Sequence, residues 1–373
     1  MNERLRKLAG IGQSVWMDSL SRDDLENGNL QRRMEEGVVG VTSNPTIFQQ
    51  AISSSSLYDE QLGELSQRED DPKELFLQLA RRDIREACDL LMPVYEETNR
   101  LDGYVSLEVS PDLAYDTPAT VEEARRLFEL VDRPNLMVKI PATLPGLAAI
   151  EEMITSGRSI NITLIFSLER YLAVTEAYLR GLKRLVAAGG DPSSVASVAS
   201  FFVSRVDTET DRRLDELGGY DDLKGRLAIA NAKLAYEIFK EVFSGEDWEF
   251  LRSKGATVQR PLWASTSTKN PDYGDVVYVE ELVGPHTVNT MPASTLEAFM
   301  DHGEIRSGGP GRSPIEEDLN EARRLIERLR EGGVGYEDVT ETLEKEGVGK
   351  FADSYGELLE GIKDKSRRVA SRG

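Results

Sequence analysis

The sequence predicts an α/β fold, a closed (β/α)8 TIM barrel with additional helices, especially in its C-terminal part. Eight short strand-like segments occur along the 373 residues, and amphipathic helical stretches separate most of them. Helices between strands impose parallel connections, so a two-layer antiparallel sheet is disfavoured. A doubly wound open sheet is the competing architecture, but the number of strands and the length of the chain favour the barrel.

The elements can be assigned in order. Thr120 and Glu123 in "TVEE" have the spacing of a capping box and predict the start of the helix before the fourth strand. The predicted strands are residues 13–20, 37–45, 103–111, 135–142, 159–167, 193–204, 259–266 and 286–292.

We expect one domain over residues 1–373. The strands and helices of the barrel occupy residues 14–300 in this prediction, and residues 301–373 form helices that pack on the barrel. A position across the mouth of the barrel is our hypothesis for these last helices.

Composition narrows the class of protein. The formal charge of −21 argues against nucleic acid or an anionic membrane as a partner, and an anionic substrate would need clustered Arg or Lys to attract it. No run approaches the roughly 20 apolar residues of a membrane span, and no secretory signal is recognisable. A single cysteine, Cys88, excludes an intramolecular disulfide and fits a reducing compartment. We therefore expect a cytoplasmic protein.

A lysine stands inside one of the predicted strands. In "NLMVKIPAT", Val138 and Ile140 have the parity that faces the helices, which directs Lys139 into the barrel. Active sites of such barrels form at the C-terminal ends of the strands, where inward polar residues meet. By the same alternation, the other polar residues expected there are Asp18, Asn44, Glu108, Asn161, Thr163, Ser200 and Ser265.

Other chemistries have weaker support. His286 and His302 have no metal-ligand spacing to each other or to Cys88. The acidic run at 207–211 lacks the glycine that a calcium loop requires at its sixth position, so we interpret it as a solvated surface loop. The glycine-rich "GGPGR" at 308–312 follows no convincing strand, which makes a phosphate loop a weak interpretation. We find no nucleophile elbow of a serine hydrolase.

An enclosed lysine near carboxylates suits Schiff-base chemistry. Only a neutral amine condenses with a ketone, and about one lysine in 2,500 is neutral at pH 7 with an ordinary pKa. Burial favours the neutral amine, whereas neighbouring carboxylates oppose that shift. Asp18 and Glu108 could move the protons that imine formation and carbon–carbon cleavage require. A purely structural ion pair between Lys139 and Glu108 is the alternative.

Six motifs resemble those of transaldolases of the longer bacterial form, in the expected order between about residues 14 and 300. They are "GVTSNPTIF", "VSLEVSPDLAYDT", "NLMVKIPAT", "INITLIFS", "ASFFVSRVD" and "RPLWASTSTKNP". The resemblance implies a class I aldolase-like barrel with no metal or organic cofactor. Its reaction would transfer dihydroxyacetone from sedoheptulose 7-phosphate to glyceraldehyde 3-phosphate, in the non-oxidative pentose phosphate pathway, giving erythrose 4-phosphate and fructose 6-phosphate.

The resemblance also implies catalytic roles. Lys139 corresponds to the Schiff-base lysine, and Asp18 to the general acid and base of carbon–carbon cleavage. Glu108 would act through a water that Thr163 helps to hold. The residues implied to bind the three-carbon unit, or to lie beside it, are Asn44, Asn161, Ser200 and Phe202.

Phosphate binding is implied for Arg205 and Ser265. Shorter transaldolases carry an arginine where this chain has Ser267, and Lys269 could supply the missing charge. An ordinary ion pair of Arg205 with Asp207 is the alternative.

Two other functions remain open. Fructose-6-phosphate aldolases cleave their substrate without an acceptor, but they are much shorter and lack a glutamate equivalent to Glu108. A non-catalytic barrel that binds sugar phosphates would keep Lys139 as an ammonium group paired with Glu108. The expected partners are sugar-phosphate substrates, and the chain is expected to be a monomer or a homodimer.

Overall fold

The computed structural model describes residues 1–306 and 312–370, the side chain of Ala370 excepted, so most of "GGPGR" lies outside the described residues. Its sheet has the order β1-β7-β6-β5-β4-β3-β2, and every pairing is parallel. The strands are β1 (Gln13–Met17), β2 (Val105–Glu108), β3 (Leu136–Pro141), β4 (Ile160–Ile165), β5 (Ser197–Phe202), β6 (Arg260–Ala264) and β7 (Thr287–Met291).

The sheet closes through the segment predicted as the second strand. Val41 forms isolated parallel bridges with Met17 of β1 and Val105 of β2. Backbone hydrogen bonds from Val41 N to Tyr104 O (2.9 Å) and from Thr42 N to Met17 O (2.9 Å) join the two edges. The predicted TIM barrel is therefore confirmed, although the second of the eight predicted strands is reduced to these bridges.

Helices surround the sheet, and several begin where a strand ends. Asn44 is the side-chain N-cap of the helix that follows the segment at Val41, and Thr143 and Ser167 are the side-chain N-caps of the helices that follow β3 and β4. The helices are α1 (Glu3–Ile11), α2 (Arg22–Glu26), α3 (Asn29–Glu36), α4 (Pro45–Ser54), α5 (Asp59–Leu65), α6 (Pro72–Glu97), α7 (Thr117–Val131), α8 (Leu144–Thr155), α9 (Leu168–Ala187), α10 (Ser204–Leu217), α11 (Leu227–Val242), α12 (Glu246–Ser253), α13 (Val277–Glu281), α14 (Ala293–His302), α15 (Leu319–Glu331) and α16 (Tyr336–Ala370).

The predicted capping box of α7 is wrong. The helix begins earlier, at Thr117, and its N-cap is Asp116, whose side chain accepts a hydrogen bond from Ala119 N. Glu123 lies within the helix, where its carboxylate accepts hydrogen bonds from Ser110 N and Oγ, both at 2.6 Å. A tertiary contact therefore uses the carboxylate that the local spacing assigned to a cap.

The acidic run at 207–211 also differs from the prediction of a solvated loop. It lies in α10, and Asp207 is buried, accepting hydrogen bonds from Ala228 N (2.7 Å) and the Tyr278 hydroxyl (2.8 Å). Asp207 thus connects α10 with α11 and α13.

A buried polar network closes the N-terminal end of the barrel. Arg260 on β6 lies 3.1 Å from Asp102, which also accepts hydrogen bonds from Ser14 (2.6 Å) and the Trp16 indole (3.0 Å). The ion pair is almost fully buried, and each charge has hydrogen-bond partners, as burial of charge requires. This end of the barrel is a packed floor, so a substrate has to enter from the other end.

The C-terminal helices lie against the barrel. α15 packs on α11, and the long helix α16 crosses α4, α5, α6 and α10 and reaches the end of β4. Among residues 1–306 and 312–370, no helix is both long and apolar enough to cross a membrane.

Candidate active site

A cavity of about 220 Å³ opens at the C-terminal ends of the strands. Its wall combines polar side chains of the barrel with a phenyl ring from α16. The lining residues are Asp18, Thr42, Asn44, Thr46, Ile47, Lys139, Thr163, Ser200, Phe202, Arg205, Ala264, Ser265, Ser267, Lys269, Thr290, Pro292 and Phe351.

Lys139 is the buried amine of this cavity. Its Nζ lies 3.1 Å from Oε2 of Glu108 and 3.3 Å from the carbonyl oxygen of Ser43. The phenyl ring of Phe351 has its centroid 5.6 Å from the same nitrogen. The strand register explains the pairing with Glu108, because β2 and β3 place the two residues opposite each other. The ion pair considered from the sequence does form, and the amine still faces the cavity.

Two carboxyl groups flank this lysine. Burial raises the pKa of Glu108 and of Asp18, and the charge of Lys139 partly opposes both shifts. Asp18 Oδ1 accepts a hydrogen bond of 2.7 Å from the Thr42 hydroxyl, which lies 2.8 Å from the hydroxyl of Thr290. A raised pKa favours the protonated form of a carboxyl group, which can then donate as well as accept a proton, as acid–base catalysis requires.

Unsatisfied polar atoms lie beside the lysine. Within the described parts of the chain, the hydroxyl of Thr163 and Oε1 of Glu108 are buried without a hydrogen-bond partner, whereas Oε2 of Glu108 faces the Lys139 amine at 3.1 Å. Buried polar groups are rarely left unpaired, so atoms of this kind indicate a place for a water or a substrate group.

Asn161 lies below the cavity. Its Nδ2 donates to the hydroxyl of Ser106 (3.0 Å), and its Oδ1 accepts from the hydroxyl of Ser200 (2.7 Å). Ser200 lines the cavity, whereas Asn161 is not among the lining residues. The structure therefore joins Asn161 to the predicted site through Ser200.

Arg205 and Lys269 form a positive end of the cavity. Burial lowers the pKa of both, and the charge of Arg205 lowers that of Lys269 further. Such a pair is favourable when an anion lies between the charges. Lys269 Nζ donates to Ser267 Oγ (2.8 Å), and the hydroxyls of Ser265 and Ser204 are 2.9 Å apart.

The alternative role of Arg205 is contradicted. Asp207 is occupied by Ala228 and Tyr278, and its side chain forms no ion pair with Arg205. The Arg205 guanidinium instead lies over the Phe202 ring, 5.4 Å from its centroid. Within residues 1–306 and 312–370 the Arg205 side chain has no ion-pair partner, so its charge is available to a ligand.

Asn44 and Phe202 complete the predicted set. Asn44 Oδ1 caps α4 by accepting a hydrogen bond from Ile47 N (3.0 Å), so this residue has a structural role as well as a place in the cavity. Phe202 packs against Phe166 with 5.1 Å between ring centroids.

Several lining residues were not predicted. Thr42 follows the segment at Val41 and Thr290 lies within β7, so both could have been found from the polar parity that identified the others. Phe351 is different, because nothing in a helical sequence shows which part of the barrel its apolar face will cover.

Grouped metal ligands are not found in the described parts of the chain: no three His, Cys, Asp or Glu side chains are arranged to hold an ion. His302 is exposed and hydrogen-bonds Asp275 (3.0 Å) and Asp301 (3.2 Å).

A parallel β/α barrel with a polar cavity at its C-terminal end defines an enzyme of the TIM-barrel class. The chain belongs to the transaldolase/fructose-6-phosphate aldolase family, whose model matches residues 15–362. This match confirms the family predicted from the six motifs.

Several transaldolases are similar to this chain over all or nearly all of its length. The chain is 50% identical to a transaldolase of Frankia alni, with 100% of both chains covered. It is 49% identical to a transaldolase of Acidothermus cellulolyticus, again over 100% of both, and 48% identical to one of Mycobacterium bovis over 96% of both. The predictions of a transferase and of a role in carbohydrate metabolism are confirmed.

Proposed function

We propose that the protein transfers a dihydroxyacetone unit between sugar phosphates through a Schiff base on Lys139. The donor is sedoheptulose 7-phosphate and the acceptor is glyceraldehyde 3-phosphate, which places the reaction in the non-oxidative pentose phosphate pathway. One observation carries the proposal: the Lys139 amine faces a cavity lined by the Asp18 carboxyl group and by the cations Arg205 and Lys269, and it lies 3.1 Å from Glu108, which is outside the lining.

The lysine supplies the covalent step. Its nitrogen adds to the ketone carbon of the donor, and loss of water gives a protonated imine. The carbon–carbon bond one atom further along the sugar then breaks, because its electron pair moves towards the imine nitrogen and forms an enamine. The aldose leaves, and the enamine attacks the aldehyde of the acceptor, which gives an imine of the product ketose. Water adds to this imine, the carbon–nitrogen bond breaks, and the ketose leaves with the Lys139 amine restored.

The two carboxyl groups divide the proton transfers. Asp18 takes the proton of the donor hydroxyl as the carbon–carbon bond breaks, with Thr42 holding its carboxylate in place. Glu108 acts through a water that Thr163 helps to position, since Oε1 of Glu108 and the Thr163 hydroxyl form no hydrogen bonds within the described residues. Asn44 and Ser200 hydrogen-bond the three-carbon unit, and Asn161 acts through Ser200.

The positive end of the cavity binds the phosphate group. Arg205 is held over Phe202 and Lys269 is held by Ser267, so both cations are oriented before a substrate arrives. Ser265 adds a hydroxyl at the same end. In a chain with a net charge of −21, this local pair of cations attracts an anionic sugar that the rest of the surface would repel.

Trapping tests the covalent step. Incubation with fructose 6-phosphate and borohydride should reduce the imine and leave a three-carbon adduct on Lys139, which mass spectrometry locates. Lys139→Met should lose the adduct and all turnover. A matched control is Lys233→Met, which removes another buried lysine in an ion pair, with Glu281 at 3.3 Å and outside the cavity, and should keep the adduct. A wild type that gives no adduct would leave a sugar-binding barrel as the better interpretation.

Release without an acceptor separates transferase from aldolase. We expect slow release of free dihydroxyacetone and fast transfer once an aldose phosphate is added. Rapid release in the absence of an acceptor would instead indicate a fructose-6-phosphate aldolase. The single-domain organisation, the cytoplasmic location and the monomeric or homodimeric state stay predictions from the sequence.

A further inference from the structure

Phe351 is the part of the cavity wall that the barrel does not supply. It belongs to α16, yet its ring centroid lies 5.6 Å from Nζ of Lys139, and the residue is only 5% exposed. On its other sides, Lys139 is bounded by the Glu108 carboxylate and the Ser43 carbonyl. The ring is therefore an apolar surface beside an amine whose other close neighbours are polar.

α16 is fixed on both sides of this ring. Three residues further along the helix, the hydroxyl of Ser354 accepts a hydrogen bond of 2.9 Å from Thr46, next to the cavity. One turn before the ring, Gly347 lies so close to Leu164 that a Cβ there would be 3.1 Å from the Leu164 side chain. Because the helix is held closely at these points, the ring is rigidly placed and does not depend on a substrate to bring it there.

Tyr355, one turn after Phe351, also attaches α16 to the barrel. Its hydroxyl lies 3.1 Å from that of Ser110, just beyond the end of β2. Its ring packs edge-on against Phe76 with 5.9 Å between centroids. These contacts hold α16 against the barrel next to Lys139 and Glu108. The Phe351 ring therefore has a fixed position in the cavity wall.

We propose that Phe351 shields the covalent intermediate on Lys139 from solvent, and so determines how often the three-carbon unit is transferred and how often it is lost to water. This inference rests on the proposed Schiff-base function. A closed, apolar neighbour excludes water from reactive intermediates, which is a recognised way of preventing hydrolysis.

The competing reaction requires only water. The enamine carbon takes a proton from solvent and becomes a protonated imine again. Water then adds to the imine carbon, the carbon–nitrogen bond breaks, and dihydroxyacetone leaves with the Lys139 amine restored. The ring slows the first of these steps by restricting the access of solvent to the enamine carbon, whereas attack on a bound aldose phosphate requires no proton on that carbon. Hydrolysis of an imine completes both routes, so that step does not favour either one.

The test measures a ratio of two rates from one donor. With fructose 6-phosphate, acceptor-independent release of dihydroxyacetone is compared with transfer to an aldose phosphate. Phe351→Ala should raise the ratio of release to transfer by about tenfold. Phe351→Leu, which keeps an apolar side chain, should restore most of the wild-type ratio.

A control separates shielding from loosening of the helix. Leu358 is a buried residue of the same helix, 2% exposed and outside the cavity lining, so Leu358→Ala weakens the packing of α16 without removing the wall. Its ratio should equal that of the wild type. A ratio in Phe351→Ala that matches Leu358→Ala, or a Phe351→Leu ratio as high as that of Phe351→Ala, would overturn the proposal.

The failure of this inference is distinguishable from failure of the proposed function. If borohydride gives no adduct on wild-type Lys139, the Schiff-base function fails and the shielding role fails with it. If the adduct forms in the wild type and in Phe351→Ala but the ratio is unchanged, only the shielding role fails. If Phe351→Ala does not fold, as judged by its thermal transition, Phe351→Leu and Phe351→Met are used instead. In each of them the ratio of release to transfer should exceed that of Leu358→Ala, by less than tenfold. A ratio no higher than that of Leu358→Ala would overturn the proposal.

Discussion

At the scale of single residues, two positions at the mouth of the barrel have unusual backbones. Leu164 has φ of 59° and coincides with a change of register between β4 and β5, and Ser265 has φ of 56° at the end of β6. Left-handed conformations are unfavourable for such residues and occur preferentially near functional sites. The bulge at Leu164 also ends the regular alternation of inward and outward side chains along β4. As a result, Leu164 and Phe166 come close to Gly347 of α16. Strict alternation along the strand could not predict this change.

The charge of Arg205 has a testable effect on substrate choice. Arg205→Met should raise KM for phosphorylated donors by roughly 10- to 100-fold, the effect of losing a charge-assisted hydrogen bond. The rate with unphosphorylated fructose should change little, because that sugar has no phosphate for the guanidinium to bind.

Steady-state kinetics with both sugars provide the measurement. Arg212→Met, about two turns further along α10 and paired with Glu209 at 2.8 Å, is the control and should leave both KM values unchanged. Equal losses for fructose and fructose 6-phosphate would contradict phosphate binding by Arg205.

At the scale of elements, the strands were predictable and the last helix was not. Short apolar runs with one polar parity identified every strand, because the barrel interior and the helix layer impose opposite environments on neighbouring residues. The segment at Val41 was predicted as a strand because it has the same pattern, but only single bridges form there. The position of α16 depends on surfaces far away in the sequence, so neither its contact with α4 nor the place of Phe351 could be derived.

Lys365 anchors the far part of α16. Its ammonium group donates to the carbonyl oxygen of Ile52 at 2.8 Å and lies 2.9 Å from Asp59, so it satisfies the C-terminal end of α4. Lys365→Met should lower the free energy of unfolding by roughly 1–3 kcal/mol, since carbonyl groups at this helix end lose a charged donor.

Urea unfolding measures this change, and hydrogen exchange should show faster opening of α16. The control is Lys363→Met, whose pair with Glu360 is exposed and 3.5 Å long and should contribute little to stability. Equal stability of the two variants would mean that Lys365 does not anchor the helix.

At the scale of the whole molecule, the barrel has one closed end and one reactive end. At the floor Arg260 is paired with Asp102, whereas the mouth leaves Arg205 without an ion-pair partner among the described residues. The sequence predicted which residues lie at the mouth, because a closed parallel barrel brings all strand ends together. It could not decide between an ion pair and a free Arg205, since that depended on the direction in which Asp207 points.

Stability of the whole chain should depend on Asp207 and pH. Burial raises the pKa of Asp207 to about 7, so the folded protein keeps a proton that the unfolded chain releases above its ordinary pKa near 3.8. Stability from this group is therefore present below pH 4 and is lost as pH rises towards 7. Asp207→Asn should be more stable relative to wild type at pH 8 than at pH 5.

Free energies of unfolding at the two pH values check this sign. Glu209→Gln, in the same helix, is the matched control: hydrogen bonds from Arg212 and Arg213 lower the pKa of Glu209 to about 2. That carboxyl group is ionised in both states between pH 5 and pH 8, so its replacement should cost a nearly constant amount. If the stability difference between Asp207→Asn and the wild type is the same at pH 5 and pH 8, the raised pKa of Asp207 is contradicted.

The wall contributed by α16 has a consequence during translation. A ribosome that has completed β7 at Met291 has made the entire sheet, with Lys139 and both of its carboxyl neighbours, but has not yet made Phe351. A barrel that assembles before α16 docks exposes the Lys139 amine to the aldehydes and ketones of its surroundings, so docking of this last helix completes the protection of the amine.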